Sequence, residues 1–228
     1  MSICKVLIDQ INSNLENILS LRRDFVSKSD GSYVSKGDLL VQSIINDKLK
    51  KILPNHILIS EENTIAKNSA WDNNKSYVIL DPIDGTENFV SGLREWGVGL
   101  SIYNNGIHSE SCIFLPELSD FLITGMKLKK YESRVIGLSS SLTRDDILNL
   151  PKTNYEYRII GCSMYNTLAA IKGSFKMFEN VKGVNCWDIL PGLNLALEHG
   201  CYVECDGEPY SGQILFPSKK YKIRISNR

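Results

Sequence analysis

The sequence predicts a layered α/β protein with mixed sheets. Two observations carry this. Segments with helical spacing and short β-branched runs alternate irregularly along the 228 residues, which excludes a plain doubly wound sheet. A hairpin signal, Asn104-Asn105-Gly106, sits between two strand-like runs and requires antiparallel pairing.

Taken in order, Ile3 to Phe25 places Val6, Leu7, Ile11, Leu15, Ile18, Leu19 and Leu21 at spacings near three and four, one buried helical face. Gly37-Asp38 opens a second helix through Leu40, Val41, Ile44, Ile45, Leu49 and Ile52, closed by Pro54. Ile57–Ile59 is a short buried strand running into Ser60-Glu61-Glu62, and a polar loop follows. Strands are expected at Tyr77–Leu80, Trp96–Tyr103, Ile107–Phe114 and Phe121–Met126. The charged segment Lys127–Glu132 reads as a junction, so residues 1–127 and 128–228 are expected as two lobes of one catalytic unit. Beyond it come a strand at Arg134–Gly137, a helix over Asp145–Leu150 stopped by Pro151, a strand at Tyr157–Ile160 and a helix from Ser163 to Ile171. A strand at Phe175–Phe178 precedes a helix capped by Asp188 and ended at Gly200, with Pro191 expected in its first turn. Strands near Tyr202–Glu204, Ile214–Phe216 and Lys222–Ile225 finish the chain.

Lys+Arg and Asp+Glu each number 26, so no basic field marks a partner among nucleic acids or membrane surfaces. No apolar run approaches a membrane span, and the first residues lack a signal-peptide core, so a cytoplasmic location is expected. The six cysteines contain no Cys-x-x-Cys pair and the three histidines are scattered, which argues against zinc and for reduced, partly buried thiols.

The chemistry concentrates in Asp81-Pro82-Ile83-Asp84-Gly85-Thr86, delivered by the strand Tyr77–Leu80. Two carboxylates and a backbone carbonyl on one turn suit Mg²⁺, which takes oxygen ligands and shares its shell with phosphate. Gly85 and Thr86 then offer consecutive N–H groups to a phosphate oxygen. Glu61-Glu62 and Asp188 are further carboxylate sources. Singly, each has a plainer reading: turn chemistry, a solvated strand end, a helix cap. Together, in this order, they are specific.

These motifs resemble the inositol monophosphatase superfamily of magnesium-dependent, lithium-sensitive phosphatases, over nearly the whole chain. Asp81 to Thr86 with Asn88-Phe89 matches its Asp-Pro-Ile/Leu-Asp-Gly-Thr-x-Asn-Phe signature. Ser60-Glu61-Glu62 is similar to Gly-Glu-Glu, and Val34-Ser35-Lys36-Gly37-Asp38 to Val-Thr-x-x-Asp. Trp187-Asp188 matches Trp-Asp-x-Ala-Ala-Gly with Gly192 in register and Leu190-Pro191 replacing the small pair, and Glu198-His199-Gly200-Cys201 weakly resembles Glu-Ala-Gly-Gly. The resemblance implies an alternating α-β-α-β-α sandwich. It implies metal ligation of two Mg²⁺ ions by Glu61, Asp81, the Ile83 carbonyl, Asp84 and Asp188, with Asp38 at a weaker third position. It further implies that Glu61 and Thr86 orient the attacking water, and that Asp84 completes the catalytic set. Gly85 and Thr86 hold phosphate, and Gly161, Cys162, Ser163, Glu179 and Asp188 contact substrate. Glu179 lies two residues farther from Asp188 than the pattern implies. No protein nucleophile is required.

Cys162 has no adjacent histidine and is not read as a nucleophile. Trp96 reads as core, His199 as a helix-end residue, and Lys28 as a solvated surface lysine. The expected partner is a small phosphorylated metabolite, with inositol monophosphate or a similar polyol or sugar phosphate favoured because Asn166-Thr167-Leu168-Ala169 lacks the lysine of bisphosphate nucleotidases. The alternatives are a 3′(2′),5′-bisphosphate nucleotidase and a catalytically weak relative that binds phosphate metabolites, the latter suggested by Leu190-Pro191. A magnesium protein that ignores phosphate leaves Gly85-Thr86 unexplained. A homodimer is an open expectation, since shortened loops fall where relatives make dimer contacts.

Overall fold

The computed structural model describes residues 2–63, 72 and 74–227; most of the polar loop expected after Glu62 lies outside them. The helices are α1 (Ile3–Ser13), α2 (Leu15–Ser20), α3 (Lys36–Ile52), α4 (Thr86–Val90), α5 (Arg144–Leu148), α6 (Ser163–Lys172) and α7 (Cys186–Glu198). Strands β3 (His56–Ser60), β4 (Ser76–Asp84), β5 (Gly97–Asn104), β6 (Ile107–Leu115) and β7 (Asp120–Ile123) form a five-stranded sheet in chain order. Strands β8 (Val135–Leu138), β9 (Glu156–Ile159), β10 (Met177–Val184), β11 (Tyr202–Cys205), β12 (Glu208–Pro209) and β13 (Tyr221–Ser226) form a second sheet in the order β12-β11-β13-β10-β8-β9. Both are mixed: β3–β4, β10–β8 and β8–β9 run parallel and the other pairs antiparallel.

The layers follow from which face each side chain buries. Along β4, Val78 and Leu80 pack toward α1 and α3, whereas Tyr77 and Ile79 pack toward α6 and α7. A strand between two helical layers therefore reads as a continuous apolar run, with each core side chain contributing about 1.5–3 kcal/mol of burial. Helices α6 and α7 also face the second sheet through Phe178, Val203, Ile223 and Ile225. The fifth layer is thin: α5 buries none of its side chains and is held by the Lys182–Asp146 ion pair.

Several local expectations are corrected. The first helix breaks at Asn14, whose side chain donates to Gln10 O at 2.8 Å and ends the turn. A hairpin of β1 (Phe25–Ser27) and β2 (Tyr33–Ser35) follows it, too short for a period to register. Ile214–Phe216 forms no strand; its Leu215 is buried from a loop. Asn185, not Asp188, is the N-cap of α7, which moves Pro191 out of the first turn into the helix interior. Its lost N–H is tolerated where the ring packs against Gly99 of β5, a position at which an added Cβ would lie 3.2 Å from the ring. All six cysteines are free and buried, as the composition predicted. No helix among the described residues is long and apolar enough to cross a membrane.

Helices α6 and α7 cross at Gly192, where an added Cβ would stand 2.3 Å from Thr167 Cγ2. We predict that Gly192→Ala destabilises by about 1–2 kcal/mol net of its better helix propensity and lowers Tm by roughly 3–6 °C. Thermal unfolding with Tm unchanged or raised would show that the crossing is not tightly set.

Candidate active site

The end of β4 builds the site. Residues three apart on a regular strand point to opposite faces. Here Asp81 pairs with Gly99 and Asp84 with Gly97, three residues against two, so one extra residue is bulged out. Pro82 cannot donate to the ladder, and the bulge re-aims Asp84 to the side of Asp81. The chain then turns through Gly85 at φ 81°, a left-handed conformation, into α4. A Cβ at Gly85 would meet Cys162 Cβ at 3.0 Å, so glycine is needed for conformation and for space. The Thr86 hydroxyl donates to Ile83 O at 3.0 Å and lies 3.4 Å from Asp38 Oδ1. Asn88 donates to Glu95 O at 2.7 Å and Ile160 O at 2.8 Å, which ties this turn to the segment leading to Gly161.

Other elements supply the remaining carboxylates. Glu61 follows β3. Asp188 is the third residue of α7, where it accepts from Asn185 N at 2.8 Å in a capping box. Oxygens from Glu61, Asp81 and Asp188 lie within 4.8 Å of one another. Asp84 accepts from Cys162 Sγ at 3.0 Å and from Met164 N at the start of α6. Asp38 instead caps α3 through Ser35 and touches the site by Thr86. Both oxygens of Asp81 are buried with no donor among the described residues. Such a donor-poor cluster fits a hard divalent cation.

The electrostatics agree. Burial, then Asp188, pushes Glu61 up to about 7 against the pull of Lys28. Burial, then Asp188, pushes Asp84 up to about 7. Asp81 is raised well above the carboxylate range by burial and by Glu61, Asp84 and Asp188, and burial also raises Asp188. Lys28 is not the solvated surface residue expected: it bonds Glu61 at 2.8 Å and Glu62 at 2.7 Å. Burial works against its charge, and the two glutamates outweigh it, so its pKa is raised.

Asp84 and Asp188 open onto a cavity of about 200 Å³ that Gly161, Cys162 and Ser163 also line. Glu179 is not brought there. Strand alternation turns it to the outer face of the second sheet, where Arg224 holds it at 2.7 Å. Its neighbour Asn180 faces the cavity and donates to Ser139 Oγ at 3.0 Å. The sequence reading missed Asn180 and Ser139-Ser140-Ser141; a hydroxyl run straight after a strand was the available signal. Cys162 is buried, and burial and Asp84 push its thiol well above its usual range, so it is poorly suited to attack.

Folded carboxyls with raised pKa values favour the protonated form, so their stabilising contribution is present below the unfolded carboxylate range and lost as pH rises through about 7. We predict that the Tm of metal-free protein falls between pH 5.5 and 8.5 and that saturating Mg²⁺ restores it at the upper end. A metal-free Tm that stays flat across that range, or no recovery with Mg²⁺ at its upper end, would refute it.

The inositol monophosphatase family model matches residues 3–140. The chain is 27% identical over 197 residues to a fructose-1,6-bisphosphatase/inositol-1-monophosphatase of Thermotoga maritima, covering 78% of this chain and 74% of that protein. It is 21% identical over 224 residues to the 3′(2′),5′-bisphosphate nucleotidase CysQ of Escherichia coli, covering 89% of each. Its fold is similar, with TM-score 0.80 and 21% identity, to a solved IMPase/NADP phosphatase complexed with Mg²⁺ and phosphate, covering 99% of this chain and 89% of that one. With the family model spanning more than half of its length, the chain belongs to the inositol monophosphatase family, and so to the phosphoric monoester hydrolases.

Proposed function

We propose that this protein is a Mg²⁺-dependent phosphatase that hydrolyses a small phosphate monoester of a polyol or sugar, such as inositol monophosphate, by direct attack of water. The observation that carries this reading is the cluster of Glu61, Asp81 and Asp188 beside Asp84, with Asp81 lacking any donor. Glu61, Asp81, the Ile83 carbonyl, Asp84 and Asp188 would hold two Mg²⁺ ions, and Asp38 a weaker third. When bound, the ions supply Lewis-acid polarisation and positive charge against the phosphate.

The chain's own groups do the rest. Glu61 accepts a proton from the attacking water and orients it. Thr86 orients that water through its hydroxyl. The N–H groups of Gly85 and Thr86, at the first turn of α4, take phosphate oxygens. The hydroxyl- and amide-lined cavity beyond Asp84 receives the alcohol. In this reading residues 1–127 and 128–228 act as two lobes of one unit, because Asp188 comes from beyond the junction. The Leu190-Pro191 departure lends the binding-only alternative little support, since Asp188 keeps its bond from Asn185 N and its place beside Glu61 and Asp81. Similarity to CysQ over 89% of each chain keeps a bisphosphate nucleotidase as the second reading.

Phosphate release across inositol 1-phosphate, sugar phosphates and 3′-phosphoadenosine 5′-phosphate, with and without Mg²⁺, tests both readings. We expect Mg²⁺-dependent, lithium-inhibited turnover that Asp84→Asn lowers by more than about 100-fold; equal rates in wild type and variant, with and without Mg²⁺, would sink the mechanism. Cys162→Ser is expected to stay within about tenfold of wild type. Abolished turnover in a folded Cys162→Ser protein would return that thiol to the chemistry.

A further inference from the structure

The cavity beyond Asp84 holds one buried side chain that neither the fold nor the proposed mechanism uses. Asn166 lies on α6 one turn beyond Cys162, whose carbonyl accepts from Asn166 N at 3.1 Å. Residues three and four apart share a helix face, so Asn166 lines the cavity together with Cys162 and Ser163. The residue is 2% exposed, yet its Oδ1 has no donor and its Nδ2 makes no hydrogen bond among the described residues. Buried polar side chains are nearly always paired, so this amide needs an explanation.

The surroundings show why the fold supplies no partner. Gly137 of β8 has no side chain to offer; a Cβ built on it would lie 3.6 Å from Asn166 Oδ1 and would collide with the Phe175 ring. Across the wall, Asn180 and Ser139 are bonded to each other at 3.0 Å, and Ser139 also meets Ser141 Oγ at 2.7 Å. Asp84 is taken by Cys162 and Met164 N. The next residue, Thr167, also has a buried hydroxyl without a partner, but it faces the α6–α7 crossing, 3.2 Å from a Cβ built on Gly192, and does not line the cavity.

We propose that Asn166 is a specificity-determining residue whose side-chain amide hydrogen-bonds a hydroxyl of the alcohol being released. The inference rests on the phosphatase reading above and deepens it by naming the group that tells a polyol ester from an apolar one. The asparagine amide turns broadly about χ2, and a hydroxyl both donates and accepts, so either end of the amide can be satisfied. An apolar alcohol in the same space leaves the amide buried and unpaired. Sites built to bond a substrate hydroxyl reject the analogue that lacks it for this reason.

The test compares inositol 1-phosphate with cyclohexyl phosphate, the same ring without its hydroxyls, on the full chain with Mg²⁺. Asn166→Leu should lower kcat/KM for inositol 1-phosphate by about tenfold, the scale of one well-placed hydrogen bond, and leave cyclohexyl phosphate within twofold. Asn166→Ser keeps a donor and an acceptor and should retain more of the preference than Asn166→Leu. Because Asn166→Leu replaces an unpaired amide by an apolar group of similar volume, its Tm should be unchanged or raised. A lowered Tm with equal losses on both esters would make Asn166 a structural residue, and no change on either ester would also overturn the assignment. Calorimetric binding of the two esters with Ca²⁺ in place of Mg²⁺ reads the same contrast without turnover. Wild-type protein that binds inositol 1-phosphate and hydrolyses neither ester would refute the phosphatase reading, while the Asn166→Leu ratio of affinities would still decide the role of Asn166. Wild-type protein with no preference for inositol 1-phosphate over cyclohexyl phosphate, in binding or turnover, would refute that role.

Discussion

Four carboxylates, Glu61, Asp81, Asp84 and Asp188, are held around one cleft largely out of water, and the lysine beside Glu61 is the one cation paired within the cluster among the described residues. Burial of like charges at such spacing raises every proton affinity in the group, and it disfavours the compact state at neutral pH unless a cation or protons compensate. Much of the surrounding architecture can be understood as the scaffold that tolerates this arrangement. Asp84 is offered the Cys162 thiol and the Met164 amide, Asp188 the Asn185 amide, and Glu61 the Lys28 ammonium. Asp81 is left with none.

The backbone devices serve the same end. A bulge brings Asp84 to the side of Asp81, Gly85 accepts a left-handed turn against Cys162, and Asn88 ties that turn to Ile160 across the cleft. Asp188 reaches the cluster because α7 lies against β4 and β5, its Pro191 ring seated on Gly99. The core that anchors α7 runs without a break from the first sheet to the second. The metal-binding geometry and the packing of the whole molecule are thus coupled: loosening α7 would displace a ligand as well as a core layer.

Layered α/β character, the β5–β6 hairpin and the extent of α3 and α6 were legible because each rests on a local period or a turn dipeptide. The misplacements have equally local causes. Asn14 breaks a helix whose apolar spacing continues past it, and the β1–β2 hairpin is three residues a side. At α7 an acidic residue suits a helix start, which points to Asp188 as the cap; the capping box places the cap three residues earlier, at Asn185, with Asp188 as its partner. Lys28 looked like solvent-facing charge because its partners are 33 and 34 residues away.

The sequence by itself determined the acidic inventory and the family, because a signature of adjacent residues is a local object. It also determined that Asp81 to Thr86 forms a turn with hard oxygen ligands. Only the tertiary structure decided which carboxylates meet, since Glu61, Asp81 and Asp188 come from three elements whose proximity depends on sheet order and on the seat of α7. It also decided the substrate wall. Strand parity sent Glu179 outward to Arg224 and Asn180 inward to Ser139, a choice of face that residue type and spacing could not specify.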